Sequence, residues 1–387
     1  MKIALLCPYS VSRPGGVQGQ VLGLGQVLEK RGHEVLVIAP CEGEPPYDFV
    51  YSVGSSVDLP GNGSVAPIAP DAMAMGRTRF ALARMQPDVM HLHEPLQPGP
   101  TWVGLMSNIA PAIGTIHASG HSFYARTRPV ARVGMRRLAF RTAVSEEARR
   151  LVQIEIGGAY YLLPNGVDVD RFSEAEPWPT TRPVILFVGR HEPRKGLAVM
   201  LDAFEGLDRD AELWVVGKGP QTDGLKARGV RDVVWLGEID DAELARRMKA
   251  ATIYCAPSRF GESFGVVLIE AMAARTPIVS TDIAGYREVA RQGREAVLVP
   301  PDDANALRAG LREVLDSSEL AARLVAAGWK RANEFSMDSL AQQYETLYEA
   351  AVAQWTNRHE RPAREWLPIE NWSLDPRTWR FLKRGPL

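Results

Sequence analysis

The stretch KIALLCPYSVSRPGGVQ, residues 2–18, joins a strand-length apolar run to a turn that holds one proline and two glycines. Beyond the turn, apolar residues recur at helical spacing to about residue 30, which predicts a helix. A strand, a turn and a helix form the repeating unit of a parallel sheet. Because glycine has no side chain, Gly15 and Gly16 are predicted to leave room for an anion at the helix N-terminus. A tight turn without a ligand is the alternative.

Length, charge and cysteine content limit the class of protein. The chain of 387 residues is too long for one typical core, so two domains are expected. A formal net charge of −1 argues against a general nucleic-acid binder. The cysteines, Cys7, Cys41 and Cys255, lack metal-ligand spacing and indicate buried thiols in a reducing compartment. We expect a cytoplasmic protein, peripheral at most on the inner face of the cell membrane.

Strand-like runs alternate with helical segments in two separate series, and prolines interrupt the pattern between residues 165 and 183. This organisation predicts an α/β fold of two doubly wound parallel-sheet domains that face a cleft. The domains are expected at residues 1–167 and 168–352, with residues 353–387 packing back on the first. Ligands of such sheets bind at the carboxyl ends of the strands. A dinucleotide-binding domain is excluded, since the turn lacks G-x-G-x-x-G and the second strand, EVLVIAP, lacks a closing acid.

A basic loop, GRHEPRKG at residues 189–196, follows the strand VILFV of the second series. Cations at the end of a strand and beside a helix N-terminus form a good clamp for a pyrophosphate. Arg190 and Lys195 are the predicted clamp residues. The alternative is a solvated loop whose cations pair with Glu192.

One glutamate lies in the glycine loop FGESFG, residues 260–265, and a second lies eight residues further on. Glu262 precedes the predicted helix, and Glu270 interrupts its apolar run. A carboxylate in such surroundings costs several kcal/mol unless it is paired. Ribose hydroxyls or a structural arginine would satisfy Glu270, and the N–H groups near Gly265 and Val266 would suit phosphate or sugar oxygens.

The spacing from Glu262 to Glu270 matches the E-x7-E motif of the family 4 glycosyltransferases, and it occurs together with GRHEPRKG, VVGKGP, LPNGVD and PGGVQ. The chain resembles this family up to about residue 352. The resemblance implies the GT-B fold and a retaining, metal-independent hexosyltransferase, for which the nucleotide sugar is a substrate and no cofactor is needed. Within the family, segments such as DVMHLHEP and YCAPSRFGESFGVVLIEAMAA resemble the mannosyltransferases that act on phosphatidylinositol.

That resemblance implies GDP-mannose as the donor, a phosphatidylinositol-type or other membrane lipid as the acceptor, and a role for each matching residue. His117 would contact the sugar near its reacting carbon and act in catalysis together with Arg190, Lys195 and Glu262. The implied donor-binding residues are Gly15, Gly16, Arg190, Lys195, Glu262, Ser263, Phe264, Gly265, Val266 and Glu270. The implied acceptor-binding residues are Tyr9, Gln18 and Asn62.

Some features leave alternatives open. After His117 the chain reads ASGHS and lacks the lysine that the mannosyltransferase pattern carries there, so a UDP-sugar donor or a soluble acceptor such as inositol phosphate remains an alternative. A non-catalytic nucleotide-sugar-binding protein is the third. Asp168 and Asp170 form a D-x-D sequence, but their position in the hinge argues against a metal site. The histidines of HLHEP, His91 and His93, are interpreted as structural.

The segment ARTRPVARVGMRRLAFRT, residues 125–142, carries no acid. If the part after Pro129 is helical, its arginines form one basic stripe, with Val130, Val133, Leu138 and Phe140 packing elsewhere. Such a stripe is either a solvated face or a contact with an anionic membrane surface. The arginines concerned are Arg126, Arg128, Arg132, Arg136, Arg137 and Arg141.

Overall fold

The computed structural model describes residues 1–61, 64–117 and 128–360, in which the chain forms two parallel sheets. The predicted α/β class is therefore confirmed. The first sheet has the strand order β3-β2-β1-β6-β7-β8-β9. Its strands are β1 (Lys2–Leu6), β2 (Glu34–Ala39), β3 (Val50–Ser52), β6 (Val89–His93), β7 (Ala112–Ile116), β8 (Phe140–Ala143) and β9 (Tyr161–Leu162). An antiparallel hairpin, β4 (Val57–Gly61) and β5 (Ser64–Ile68), lies outside this sheet.

Helices cover both faces of the first sheet, because its strands are apolar on both sides. In β1, Ile3 and Leu5 belong to one core and Ala4 and Leu6 to the other, all of them fully buried. The helices of this half are α1 (Gly16–Lys30), α2 (Ala72–Met85), α3 (Pro100–Met106), α4 (Arg128–Met135) and α5 (Glu146–Glu155).

The second sheet has the order β12-β11-β10-β13-β14-β15 and also lies between two cores. Its strands are β10 (Val184–Val188), β11 (Glu212–Val216), β12 (Val233–Gly237), β13 (Ile253–Ala256), β14 (Ile278–Thr281) and β15 (Val297–Val299). Its helices are α6 (Val169–Ser173), α7 (Leu197–Glu205), α8 (Thr222–Lys226), α9 (Asp241–Ala250), α10 (Val266–Ala273), α11 (Ala284–Ala290), α12 (Ala304–Asp316) and α13 (Ser318–Glu334).

The last helix, α14 (Met337–Glu360), returns to the first sheet. Its buried side chains recur at helical spacing and belong to the core that also holds Ile3 and Leu5. The predicted second domain extends to residue 352, whereas α14 packs on the first sheet. The reason is long-range, since the apolar stripe of α14 fits the face of the first sheet beside α1. The residues concerned are Met337, Leu340, Ala341, Tyr344, Tyr348 and Ala351.

The chain passes between the two halves twice, and the two passages lie side by side. Val167 donates its N–H to the Phe335 carbonyl at 2.9 Å, and Met337 donates its own to the Val167 carbonyl at 2.9 Å. A β-carbon at Gly166 would lie 2.9 Å from the α-carbon of Met337, so only glycine allows this approach. The two passages form one paired connection between the sheets.

A second contact between the halves lies at the start of α5. Ser145 caps this helix by accepting the Ala148 N–H at 3.0 Å. From α11 of the second half, the carboxylate of Glu288 accepts the N–H groups of Glu146 and Glu147 at 3.1 and 3.3 Å. An acidic side chain thus satisfies two of the open donors at this helix N-terminus.

Candidate active site

The basic loop that follows β10 lies against the loop that follows β13. Gly196 has φ +71°, and a β-carbon there would lie 2.0 Å from the Pro257 carbonyl oxygen. Glycine is therefore required where the two loops meet. Pro193–Lys195 forms a single 3₁₀ turn, which directs Arg194 and Lys195 toward Glu262.

Glu262 is the centre of a charged cluster. Its Oε1 lies 2.6 Å from Lys195 Nζ and 3.4 Å from Arg194 Nη1, and it accepts a hydrogen bond of 3.1 Å from Ser258 Oγ. The sequence predicts that Lys195 clamps the phosphates and that Glu262 acts in donor binding and catalysis, and the structure brings the two into one ion pair. Arg194 was not singled out there, although it neighbours Lys195.

Arg190, the other predicted clamp residue, lies on a different carboxylate. Its Nε is 3.2 Å from Oε1 of the buried Glu192, and 48% of its side chain is exposed. Arg194 Nε donates to the other Glu192 oxygen at 3.0 Å. The pairing with Glu192 is the one that the alternative interpretation described, yet almost half of the Arg190 side chain still faces solvent, where an anion has access.

Helix α11 fixes the loop that carries Glu262. A β-carbon at Gly285 would lie 2.2 Å from the Glu262 carbonyl oxygen, so the backbones are in direct contact. Tyr286 donates from its hydroxyl to Ser258 Oγ at 2.9 Å. Gly265, at φ +74°, precedes α10 and packs on the Tyr286 ring. Ser258 and Tyr286 are thus supporting residues that the sequence analysis missed.

The predicted donor-binding residues around α10 separate into two environments. Phe264 is buried, with its ring 5.3 Å from that of Phe335, so its side chain belongs to the core. The side chain of Phe264 therefore does not have the predicted role in donor binding. Its aromatic ring is stabilised by packing into the core. Gly265 is the N-cap of α10 and Val266 its first residue, and because glycine has no side chain it cannot cap the first N–H groups of the helix. Ser263 lies two residues before this N-cap.

Glu270 is half-buried in α10. Burial raises its pKa to about 7, while the nearby Arg171 guanidinium opposes that shift. Arg171 itself donates to Asp241 at 2.7 Å. Arg171 is thus a charged neighbour of the kind that the alternative interpretation expected, but its guanidinium donates to Asp241, and within the described ranges it forms no direct hydrogen bond with the Glu270 carboxyl.

On the first sheet, His117 follows β7 and is 6% exposed. Its Nε2 lies 2.9 Å from His93 Nδ1, and its backbone N–H is donated to Glu94 Oε1 at 2.6 Å. Burial lowers its pKa to about 3, and the neighbouring Asn165 amide opposes this shift. The ring is therefore neutral at physiological pH.

Several of these neighbours were missed by the sequence analysis. It interpreted His93 as structural and assigned no role to Asn165, whereas both lie beside His117. A signal was available, because the strands DVMHLH and AIGTIH both end in histidine at one edge of the predicted sheet. Asn165 Oδ1 and His117 Nδ1 are buried and have no hydrogen-bond partner among the described residues.

Gly16 opens α1 at the same edge of the first sheet. A β-carbon there would meet no atom of the described residues within 4 Å, and the contact with an anion stays a prediction. At Gly15 a β-carbon would instead lie 2.3 Å from Gln18 Oε1. Gln18 is buried and donates its amide to the Ser10 carbonyl at 3.3 Å. That side chain is therefore already engaged within the protein.

The other two predicted acceptor residues differ in what the structure describes. Tyr9 is half-buried, and burial raises its pKa, with a further contribution from the Glu94 carboxylate. Tyr9 therefore lies toward the His117 side of the site. Asn62 lies outside the described residues.

The D-x-D sequence has a local role in the fold. Asp168 is the N-cap of α6, where its side chain accepts the Arg171 N–H at 3.1 Å. Asp170 lies in the first turn, where a negative charge favours the helix dipole.

The arginine segment does not form the single stripe that was predicted. Helix α4 ends at Met135, and Arg141 lies on β8, with its guanidinium 5.9 Å from the Tyr160 ring. The last turn is closed by Arg136, which donates its N–H to the Arg132 carbonyl at 3.2 Å, and by Arg137, which donates to the Gly134 carbonyl at 2.9 Å. Arg132, Arg136 and Arg137 are exposed. Arg126 and the Arg128 side chain lie outside what the structure describes.

The apolar residues of the same segment also divide. Leu138 and Phe140 are buried, as expected, whereas Val130 and Val133 are 55% and 61% exposed. The expectation that all four pack elsewhere is wrong for the two valines, because they occupy the outer face of α4. No helix in the described ranges is long and apolar enough to cross a membrane.

Comparisons with known proteins agree with this architecture. Residues 14–171 match the family model described as Glycosyltransferase Family 4, and residues 168–331 match the one described as Glycosyl transferases group 1. The phosphatidyl-myo-inositol mannosyltransferase of Mycobacterium leprae is 38% identical over 364 residues, covering 91% of this chain and 97% of that protein. The protein of the same name from Mycobacterium tuberculosis is 39% identical over 368 residues, again covering 91% and 97%.

Among solved structures, sucrose-phosphate synthase from Thermosynechococcus elongatus superposes with a TM-score of 0.74 at 22% identity. The superposition covers 91% of this chain and 99% of the sucrose-phosphate synthase chain. At this identity it shows a shared fold and nothing about the substrate. Together with the identity to the mannosyltransferases over almost their whole length, it shows that the chain is a hexosyltransferase that belongs to glycosyltransferase family 4 and has the GT-B fold.

Proposed function

We propose that the chain transfers mannose from GDP-mannose to phosphatidylinositol with retention of the anomeric configuration. The observation that carries this proposal is the 38% identity to a phosphatidyl-myo-inositol mannosyltransferase over 97% of its length, which spans both sheets. The cluster on the second sheet supports it, because its cations suit a diphosphate, and so does the neutral histidine on the first. Residues 168–336 bind the donor, and residues 1–167 together with α14 bind the acceptor.

The donor diphosphate binds between the basic loop and the N-terminus of α10. There it gives Arg190 and Lys195 new anionic partners through charge-assisted hydrogen bonds. The Glu262 carboxylate, whose Oε1 lies 2.6 Å from Lys195 Nζ, then accepts hydrogen bonds from hydroxyls of the transferred sugar. Glu270, with its raised pKa and no direct hydrogen bond from Arg171, accepts the ribose hydroxyls.

The transfer proceeds by displacement on one face of the sugar through an oxocarbenium-like state. Charge that develops on the leaving phosphate is stabilised by Arg190, Lys195 and the helix N-termini. His117 contacts the sugar as a neutral ring, and its low pKa prevents repulsion with the positive charge on the anomeric carbon. Asn165, whose buried Oδ1 has no partner within the described chain, joins His117 at the sugar.

The outer face of α4 places the first half on an anionic membrane surface. Arg132, Arg136 and Arg137 supply positive charge, and the exposed Val130 and Val133 supply apolar contact at the interface. A lipid acceptor in that surface is then within reach of the cleft. Arg141 takes no part, since it lies against the Tyr160 ring.

A transfer assay with separated donors and acceptors tests the function. Labelled GDP-mannose, GDP-glucose and UDP-glucose are each supplied with phosphatidylinositol in vesicles or with soluble inositol phosphate. We expect lipid-linked product from GDP-mannose and phosphatidylinositol above all other pairs. Greater transfer from a UDP-sugar, or to the soluble acceptor, would overturn the assignment in favour of the corresponding alternative. Donor binding without transfer to any acceptor would favour a non-catalytic binding protein.

A further inference from the structure

The ring nitrogens of His93 and His117 form one short buried chain. His93 Nδ1 lies 2.9 Å from His117 Nε2, and His93 is fully buried. The outer nitrogens, His93 Nε2 and His117 Nδ1, have no hydrogen-bond partner among the described residues. Asn165 Oδ1, beside His117, is likewise buried without one. Burial lowers the pKa of both rings, so each carries one proton and the pair shares one hydrogen bond.

Only two arrangements of the protons are compatible with this hydrogen bond. If His117 donates from Nε2, the proton of His93 must sit on Nε2, where a buried N–H has no acceptor among the described residues. If His93 donates from Nδ1, the proton of His117 sits on Nδ1 and faces the Asn165 oxygen. In proteins, buried N–H groups without an acceptor are rarer than buried acceptors without a donor. The reason is that an unpaired N–H costs more free energy than an unused lone pair on an acceptor. The second arrangement is favoured.

We propose that His93 is a positioning residue that donates from Nδ1 to His117 Nε2 and thereby keeps the His117 proton on Nδ1. The proposal rests on the proposed function, in which His117 contacts the transferred sugar. In this tautomer the His117 N–H lies on Nδ1 beside the Asn165 amide, and the ring meets the sugar without a charge. The Glu94 carboxylate holds the His117 backbone N–H at 2.6 Å, so the ring is oriented by two neighbouring residues.

Two substitutions of His93 separate positioning from packing. His93→Leu removes the donor, and His93→Asn retains an N–H near the Nδ1 position. For His93→Leu we expect kcat to fall about tenfold to a hundredfold, the usual loss when the partner that orients a functional histidine is removed. The KM for the donor and the affinity for GDP should change little. His93→Asn should recover most of the lost kcat.

His91→Leu is the matched control. His91 lies on the same strand, its ring centroid is 4.1 Å from that of His93, and its nitrogens bond to Tyr348 and Thr115 at 2.8 and 2.6 Å. It should lower the melting temperature like His93→Leu and leave kcat per folded enzyme almost unchanged. Equal kcat losses in His91→Leu and His93→Leu, or no recovery in His93→Asn, would overturn the proposal.

The ¹⁵N shifts of the His117 ring test the tautomer without turnover. We expect Nδ1 to be protonated and Nε2 to be bare in the wild-type protein. Protonation on Nε2 would overturn the proposal. Because this measurement needs no substrate, it decides the role of His93 even if the protein fails to transfer mannose, an outcome that would contradict the proposed function alone.

Discussion

The two sides of the candidate site differ in how they handle charge. On the second sheet, Lys195, Arg194 and Glu262 are partly exposed and ionised, and they pair with one another. On the first sheet, His93 and His117 are buried and neutral and share a hydrogen bond. Fixed charges suit a diphosphate, whereas uncharged rings suit a sugar that becomes positive during transfer. In the proposed function, the second sheet therefore binds the diphosphate, and the first sheet contacts the sugar.

The degree of exposure explains why the side chains on the second sheet are charged and the histidines on the first sheet are neutral. An ion pair with part of its surface in water avoids most of the desolvation cost, so the loop keeps its charges until an anion arrives. A buried imidazolium would lose its hydration, and this desolvation lowers the pKa of both rings, so the histidines stay neutral. Substitutions on the two sheets test this division between diphosphate binding and sugar contact.

Replacing Glu262 should separate sugar recognition from nucleotide binding. Glu262→Gln should lower turnover about a hundredfold to a thousandfold, as expected when a group that acts in the transition state is removed. The affinity for GDP should stay the same or rise, because the change releases Lys195 from its ion pair. Steady-state kinetics and calorimetry measure the two effects.

The control for this substitution is Asp302→Asn, which removes a carboxylate paired with Arg259 outside the cluster. It should leave turnover near the wild-type value. A loss of GDP affinity in Glu262→Gln as large as the loss of turnover would contradict the role in sugar recognition.

Removing the exposed cations of the α4 segment should weaken membrane binding. Changing Arg132, Arg136 and Arg137 to Ser should cost about 1 kcal/mol for each residue near an anionic surface, less as salt is raised. Liposome co-sedimentation measures the loss. The control replaces Arg149 and Arg150, which pair with Glu146 and Glu147 on α5. Equal binding of the wild type to neutral vesicles would refute the membrane contact.

A methyl group at Gly16 should interfere with the donor and not with the fold. A β-carbon there meets no protein atom, so Gly16→Ala should keep the melting temperature or raise it slightly through helix propensity. Donor affinity should fall about tenfold, because one charge-assisted hydrogen bond to the phosphate is lost. Gly19→Ala, in the same helix and equally open, is the matched control. Unchanged affinity in both variants would place the phosphates elsewhere.

The smallest predicted effect is a pH dependence that arises from Glu270. Burial raises its pKa to about 7, so the carboxyl is increasingly protonated below neutral pH. Ribose hydroxyls donate to the ionised form, so GDP-mannose should bind more tightly as the pH rises from 6 to 8. The dependence should disappear in Glu270→Gln. GDP-mannose is the correct probe, since it lacks the terminal phosphate of GDP, which titrates nearby. A flat profile for the wild type would rule out this contact.

The fold was largely predictable because its signals are local. Apolar strands, glycine turns and helical periodicity follow from neighbouring residues, and the motif around Glu262 lies within a single loop. The missed features depend on distant pairings. His93 reaches His117 only because β6 pairs with β7 in the register that sets His93 opposite Thr115. Helix α14 packs on the first sheet because its apolar stripe fits there, and nothing in its own sequence identifies that face.

The site shows the same limit. The sequence identified Lys195 and Glu262 as separate ligand contacts, and only the meeting of two loops at Gly196 makes them partners. Similarly, the end of α4 at Met135 depends on how the following residues enter β8, so Arg141 could not be separated from the stripe in advance.

The most direct test of the division between the two sheets compares GDP with GDP-mannose by calorimetry in Lys195→Ala and His117→Ala. Lys195→Ala should weaken both ligands alike, by about 1.5–3 kcal/mol, because it removes a charged hydrogen bond to the diphosphate that they share. His117→Ala should leave GDP binding unchanged and weaken GDP-mannose alone, because only the sugar reaches the first sheet. Equal weakening of GDP and GDP-mannose by His117→Ala would contradict the account.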